Sequence, residues 1–331
     1  MVDTLLIVTF LVSYVVTLFA VPAWITRARA TGFLAKDMNK LDKREVSELG
    51  GLCVVFGFIC SLLLYIAVIT FVFQINSAST QFILAALCSV LIATIIGLTD
   101  DILGWKIGFT AGYKVLLTFL IALPMVVINS GVSYMNIPWI GNLSLGILFP
   151  LIVIPIGIVG AANGFNMLAG YNGLEAGMGM IILSTLGLLS WLSGRGYVAV
   201  IAFCMVFALF AFYLFNRYPA KIFPGNILTY SVGALIAVVT VLGNIEKYAL
   251  ILFIPYGFEF VLKLRGSFKK ESFAKPSKNG LRRPYNKYYG IEHIAIDLAR
   301  IIDGKATEKG VVRLIFSMEI MLSLVVLIIF L

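Results

Sequence analysis

The chain has 331 residues, of which 61% are hydrophobic and only 12% charged, and it carries a formal net charge of +9. Soluble domains hold about a quarter charged residues, so this composition excludes a water-soluble fold. The cysteines Cys53, Cys60, Cys88 and Cys204 all fall in apolar stretches without CxxC spacing, which argues against both a disulfide framework and a zinc site.

Apolar stretches long enough to cross about 30 Å of hydrocarbon mark the chain's organisation. They lie near residues 5–25, 49–74, 80–98, 110–129, 143–161, 173–192, 196–215, 227–243, 247–264 and 311–331. The first is preceded by Met-Val-Asp-Thr, without the basic n-region of a signal peptide, and reads as a span. The fifth and eighth are short and rich in Gly or Pro, the pattern of broken or tilted helices lining a polar site. The expectation is an all-α polytopic membrane protein with about ten transmembrane helices, forming a single integral membrane domain over residues 1–331.

Such a count places loops 26–48, 99–109, 162–172, 216–226 and 265–310 on one face. With their flanking span ends they hold every Lys and Arg of the 25 in the chain except Arg195 and Lys247. By the positive-inside rule that face is cytoplasmic and both termini are on the non-cytoplasmic side. The charge is therefore one-sided, a field that attracts anionic headgroups or an anionic substrate.

The polar residues that carry no positive charge gather on the same face. At the end of the third stretch GLTDDILGWK sets Asp100 beside Asp101, with Lys114 a turn into the next stretch. Adjacent carboxylates repel, so their pairing calls for a nearby cation, although a solvated helix end is the plainer account of two aspartates. Between the fifth and sixth stretches, AANGFNMLAGYNGLEAGMG brings Asn163, Asn166 and Asn172 among glycines. Their amide oxygens can ligate a hard cation, and the amide hydrogens can hold phosphate or sugar. The helix beginning near Gly173 can offer free N–H groups to an anion. Asn and Gly are ordinary turn residues too, but the run is too long and too polar for a simple connection. After the seventh stretch comes FNRYPAKIFPGNILTY, in which Asn226 is either a helix cap or another oxygen ligand. The loop 265–310 is a basic cytoplasmic segment long enough to lid a site. It holds Arg282, Arg283 and the chain's one histidine, His293, within a periodic IEHIAIDLARII that suggests an interfacial amphipathic helix.

Taken together, these residues resemble the polyprenyl-phosphate N-acetylhexosamine-1-phosphate transferases. That family includes the eukaryotic dolichyl-phosphate GlcNAc-1-phosphate transferase and the bacterial phospho-MurNAc-pentapeptide translocase. The resemblance runs from DMNKLDKREVSELGG near residue 37 through the ninth stretch. Where the bacterial branch has NxxNxxDGxDGL, this chain reads NGFNMLAGYNGLEAG, with Ala169 and Asn172 in place of the aspartates, a form similar to the archaeal and eukaryotic branch. The resemblance implies catalytic roles for Asp100, Asp101 and Lys114, with Lys114 neutralising pyrophosphate charge. It implies Asn166 and Asn226 as ligands of Mg²⁺ (or Mn²⁺), and Asn163, Asn172, Gly173 and Glu175 as the loop that holds the nucleotide or orients the ligands. Arg282, Arg283 and His293 stand as counterparts of the family's last-loop motif. Asn226 is a departure, since the family commonly has Asp there; loss of that charge should weaken a metal site.

The implied reaction moves GlcNAc-1-phosphate from a UDP-sugar donor to a polyprenyl or dolichyl phosphate acceptor, releasing UMP and leaving a lipid pyrophosphate. The implied setting is an N-glycan or related lipid-linked oligosaccharide pathway, with tunicamycin sensitivity. Membrane lipid is the expected surrounding, no nucleic acid is expected, and a homodimer is compatible with the resemblance. Two other readings fit the same residues. A secondary transporter shares the composition, but here the polar groups gather on one face and no internal repeat relates the halves. A UDP-sugar-binding relative that lost catalysis would follow from Asn226.

Overall fold

The structure is a computed structural model that describes residues 2–74, 79–104, 110–131, 134–137 and 141–331. Residues 105–109 of the expected 99–109 loop fall outside the described residues. The first helix, α1 (Val2–Thr31), leads into an antiparallel hairpin of β1 (Leu34–Lys36) and β2 (Glu45–Ser47), with Leu34 opposite Ser47. Next come α2 (Gly51–Ala67), which loosens into a π-helical turn over Val68–Val72, and α3 (Ser79–Leu103).

The fourth apolar stretch is not one regular helix. It runs as α4 (Ala111–Thr118), a 3₁₀ segment over Phe119–Ala122, and α5 (Leu123–Val127). Pro124 sits in the first turn of α5, where its missing N–H costs least, and its ring discourages a continuous helix through this point. A second hairpin, β3 (Tyr134–Ile137) with β4 (Gly141–Ser144), ends just inside the expected start of the fifth span. That span instead enters through a π-helical turn at Phe149–Val153 and continues as α6 (Ile154–Met167). Asn163 and Asn166 are therefore on the last turns of a helix, whereas the sequence placed them in a loop.

Helices α7 (Leu174–Leu192), α8 (Gly196–Asn216) and α9 (Gly225–Gly243) follow with short connections. The ninth stretch is split at Phe253 into α10 (Glu246–Leu252) and α11 (Ile254–Arg265), with Pro255 in the first turn of the second piece. A third hairpin, β5 (Lys275–Ser277) with β6 (Gly280–Arg282), precedes α12 (Ile291–Asp303) and α13 (Glu308–Phe330). Among the described residues, eight helices are long and apolar enough to cross a membrane, and Gly112–Val127 forms a shorter apolar segment.

Helix α9 is the centre of the bundle, with every residue from Ile227 to Gly243 buried. The eighth apolar stretch is thus continuous, not broken. Small residues let neighbouring backbones reach it. A Cβ on Gly97 of α3 would come within 2.6 Å of Ile227 N, and one on Gly233 of α9 within 2.6 Å of Ala161 O of α6. Thr94 and Ser231 add a hydroxyl pair at 2.9 Å between α3 and α9. These close contacts bring the ends of α3 and α6 against the start of α9, which is where the polar residues converge.

Helix α12 buries His293, Ile296 and Ala299 and exposes Ile294, Leu298, Ile301 and Ile302. The helix is thus amphipathic, as its periodicity suggested, with an apolar face turned outward.

Candidate active site

The hairpin β1–β2 is sewn to the α8–α9 connection. Phe223 N–H donates to Ser47 O at 2.7 Å, and Gly50 N–H donates to Phe223 O at 2.9 Å. This fixes one wall of a cavity of about 760 Å³ that opens at the ends of α3, α6 and α9, within the usual range for small-molecule sites. Of the residues singled out in the sequence, Asp100, Asp101, Lys114, Asn166, Glu175 and Asn226 line it.

Asp100 is the buried end of an ion pair, with Lys114 Nζ 2.6 Å from its Oδ2. The side-chain amide of Asn226 donates to the same oxygen at 2.7 Å. Asp101 plays a different part: its carboxylate accepts from Asn226 N–H at 2.9 Å and from Ile227 N–H at 3.2 Å, capping the start of α9 from α3. Gly225 makes this approach possible. It has φ of +71°, and any Cβ there would collide with the Asp101 carboxylate. Asn166 is oriented by Thr229, whose hydroxyl donates to its Oδ1 at 2.7 Å. Glu175 Oε1 accepts from Gly170 N–H at 2.8 Å and so braces the loop that follows α6.

Other expected residues are placed elsewhere. Asn163 turns toward α4, donating to Thr118 Oγ1 at 2.9 Å. Asn172 is a buried clamp: it donates to Asp37 Oδ2 at 3.2 Å, accepts from Ala220 N–H at 2.8 Å and gives its own N–H to Glu308 at 2.8 Å. Gly173 packs on the Tyr213 ring. None of the three lines the cavity.

Nor do Arg282, Arg283 and His293 line it. Arg283 pairs with Asp297 at 2.7 Å and lies over the Tyr288 ring. His293 is buried and accepts Tyr289 N–H at Nδ1, 3.2 Å away. Glu259 and Lys263 are buried together 3.3 Å apart, and Glu259 accepts from Ile291 N–H at 2.7 Å, anchoring the start of α12.

The cavity also includes residues the sequence gave no reason to choose. Lys36 and Glu48 reach it from the first hairpin, and Phe273 reaches it from the 265–310 loop. Burial raises the Glu48 carboxyl above its usual range. The backbone beside Phe273 is held by Asn39, which accepts from Ala274 N–H at 2.9 Å and donates to Gly170 O at 2.8 Å. The DMNK phrase thus ties three loops together around the cavity. The phrase is visible in the sequence, but its partners Gly170, Asn172 and Ala274 lie more than a hundred positions away.

Buried carboxylates, amide oxygens and a lysine, set where membrane helices end, make up an integral membrane protein with a site suited to phosphate-bearing substrates. The comparison with known families agrees. Residues 83–244 match the family model for glycosyl transferase family 4, and the chain belongs to that family. A relative from Saccharolobus solfataricus is 36% identical over 97% of this chain and 94% of its own; it is provisionally named a UDP-N-acetylglucosamine–dolichyl-phosphate N-acetylglucosaminephosphotransferase. The Schizosaccharomyces pombe protein of that name is 26% identical over 73% of this chain and 62% of its own. A phospho-N-acetylmuramoyl-pentapeptide-transferase from Streptococcus pyogenes is 30% identical over 77% of this chain and 78% of its own.

Proposed function

We propose that this protein transfers GlcNAc-1-phosphate from UDP-GlcNAc to a polyprenyl phosphate of the dolichyl type, giving lipid-pyrophosphate-GlcNAc and UMP. The observation that carries the reading is the Lys114–Asp100 pair on the wall of the cavity, 2.6 Å apart, in a chain of this family. Family membership also weighs against the transporter reading.

In this reading an acceptor phosphate oxygen attacks the β-phosphorus of the donor and UMP leaves. The acceptor is already mostly ionised near neutral pH, because a phosphate monoester's second pKa is about 6. No strong base is needed, and positioning with charge neutralisation is the main task. Lys114 supplies a cation to the pyrophosphate oxygens, and Asp100 holds it in place. Asp101 positions Asn226 by capping α9, while Thr229 holds Asn166.

The donor set at the wall is one of hard oxygens: the Asp100 carboxylate and the side-chain amides of Asn166 and Asn226. Among the described residues no three His, Cys, Asp or Glu side chains cluster as a metal cage. That suits Mg²⁺, which keeps several waters and takes substrate phosphate oxygens, better than a metal that demands a full protein shell. Asp100, Asn166 and Asn226 are the residues that would hold it. When bound, Mg²⁺ (or Mn²⁺) supplies charge neutralisation to a pyrophosphate.

The one-sided basic charge supports ten membrane crossings, with the shorter Gly112–Val127 segment and the split α10–α11 counted as two of them. It also supports a cavity on the cytoplasmic face, both termini opposite, and the 265–310 segment as a lid that reaches the site through Phe273. The lipid tail then stays in hydrocarbon while its phosphate meets the nucleotide at the surface.

The test is UMP release and transfer of labelled GlcNAc into the lipid extract by the purified protein in detergent, with UDP-GlcNAc, a polyprenyl phosphate and Mg²⁺. Product with both substrates, lost on Asp100→Asn, supports the reading. Turnover by Asn226→Asp but not by the parent chain marks a disabled relative, and no lipid product from either overturns the assignment.

A further inference from the structure

A second cavity, of about 580 Å³, lies between the end of α8 and the start of α13 and shares no lining residue with the first. Its upper rim is basic. Arg217 and Lys221 come from the connection after α8, and Lys309 and Arg313 from the first turns of α13, where a spacing of four puts them on one face. All four are exposed, and among the described residues none of them has an ion-pair partner.

The nearest acid on α13 is turned away. Glu308 is buried, with its carboxylate on Lys40 and on Asn172 N–H. Lys309 is instead held over the Tyr218 ring, 5.2 Å from its centroid. Four cations without an ion-pair partner around one concavity make a site for an anionic phosphate group.

The lower half is apolar. Leu214 of α8 and Val312 and Phe316 of α13 line it, and Phe316 packs on the bare face of Gly177 in α7. Both α8 and α13 are long and apolar enough to span the membrane, so the basic rim lies where headgroups lie and the apolar wall where chains begin. A free phosphate would use only the rim, whereas a lipid phosphate uses both halves.

We propose that this cleft binds the phosphate headgroup of an anionic membrane lipid, with its chains running down α13 past Val312 and Phe316. The experiment uses the full chain in nanodiscs of phosphatidylcholine containing a minor share of phosphatidylglycerol. After transfer to detergent, retained lipid is counted by native mass spectrometry. The parent chain should retain phosphatidylglycerol selectively.

The pairs Lys309→Ala with Arg313→Ala, and Arg217→Gln with Lys221→Gln, should each lower that retention. The expected loss is about fivefold per basic residue near the surface, hence about 25-fold per pair. The two pairs sit on separate elements, so loss in both with unchanged melting points excludes a folding artefact, and Arg313→Lys should retain binding. Equal retention of phosphatidylcholine, or full retention in both paired variants, overturns the proposal. So does displacement by millimolar inorganic phosphate, which would mark a free-anion site.

Discussion

The side-chain amide of Asn226 donates to Asp100 Oδ2 at 2.7 Å, on the same oxygen that Lys114 approaches to 2.6 Å. The resemblance places an aspartate at position 226 in most of the family, and an aspartate cannot make that donation. Two carboxylates at this distance repel unless a cation lies between them. The amide therefore keeps the site intact without metal, and it does so by giving up a charge that would bind one.

Asn226→Asp should reverse this balance. With chelator present the variant should unfold at lower temperature than the parent, by the cost of an unsatisfied buried polar group, about 1–3 kcal/mol. Added Mg²⁺ should recover it, with a larger rise in melting point than the parent shows. Thermal unfolding in detergent across a Mg²⁺ titration checks this, and identical Mg²⁺ responses would place position 226 outside any metal site.

Lys114→Met removes the cation at the cavity wall and leaves the buried Asp100 with its Asn226 donor alone among these two partners. The loss of a charge aimed at developing transition-state charge should lower UMP release by about 10²–10³-fold. Lys114→Arg should restore stability more fully than turnover, because a planar guanidinium cannot replace a compact ammonium on the same oxygen. Steady-state rates beside melting curves separate the two effects, and a variant with near-parental turnover would remove Lys114 from the reaction.

The sequence carried the membrane class and six of the residues on the cavity wall. Asp100, Asn166 and Asn226 were visible because polar side chains at the ends of apolar helices are costly and therefore conspicuous. It could not show that Asn163 and Asn172 lie off the cavity wall, because composition cannot tell an amide facing a ligand from one that holds two loops together; both kinds sit in Gly-rich polar runs. Glu48, Lys36 and Phe273 were missed for the opposite reason, since nothing local distinguishes them and only the pairing of the first hairpin with the α8–α9 connection brings two of them in. The breaks at Phe119–Ala122 and Phe253 follow from Pro124 and Pro255, which hydropathy alone averages away.

Lys40 is buried between two acids. Its ammonium meets Glu308 and lies 3.3 Å from Asp37 Oδ2, and Glu308 in turn takes Asn172 N–H at 2.8 Å. The cation thus joins the first hairpin, the loop after α6 and the start of α13. Lys40→Met strands two buried carboxylates and should destabilise by about 3–5 kcal/mol. Adding Glu308→Gln to it should recover part of that loss, because an amide needs no counter-charge. Chemical unfolding of the single and double variants measures the coupling, and additive effects would show that the pair is not a unit.

His293 gives the chain an acid-sensitive point outside the spans. Burial, with Lys263 and Arg283 nearby, pushes its pKa down to about 4, only partly opposed by Asp297. The geometry agrees, because Nδ1 accepts Tyr289 N–H and can take no proton without losing that bond. Below the ordinary histidine pKa of about 6.5 the unfolded chain takes up a proton that the folded chain refuses, so stability falls as pH drops toward 4, by up to about 1.4 kcal/mol per pH unit. Above about 6.5 both states are neutral at this group and its contribution is complete.

The neighbouring Glu292 runs the other way. Burial raises its carboxyl well above the usual range, so its share of stability is full at low pH and is lost as pH rises. The parent curve alone therefore mixes the two, and the comparison with His293→Asn isolates the histidine. An asparagine oxygen can accept from Tyr289 but does not titrate between pH 7 and 4. Melting points across that range should fall more steeply for the parent than for the variant, with the two curves separating below about pH 6.5. Parallel curves would mean that His293 is protonated in the folded chain and that the α12 anchor tolerates the charge.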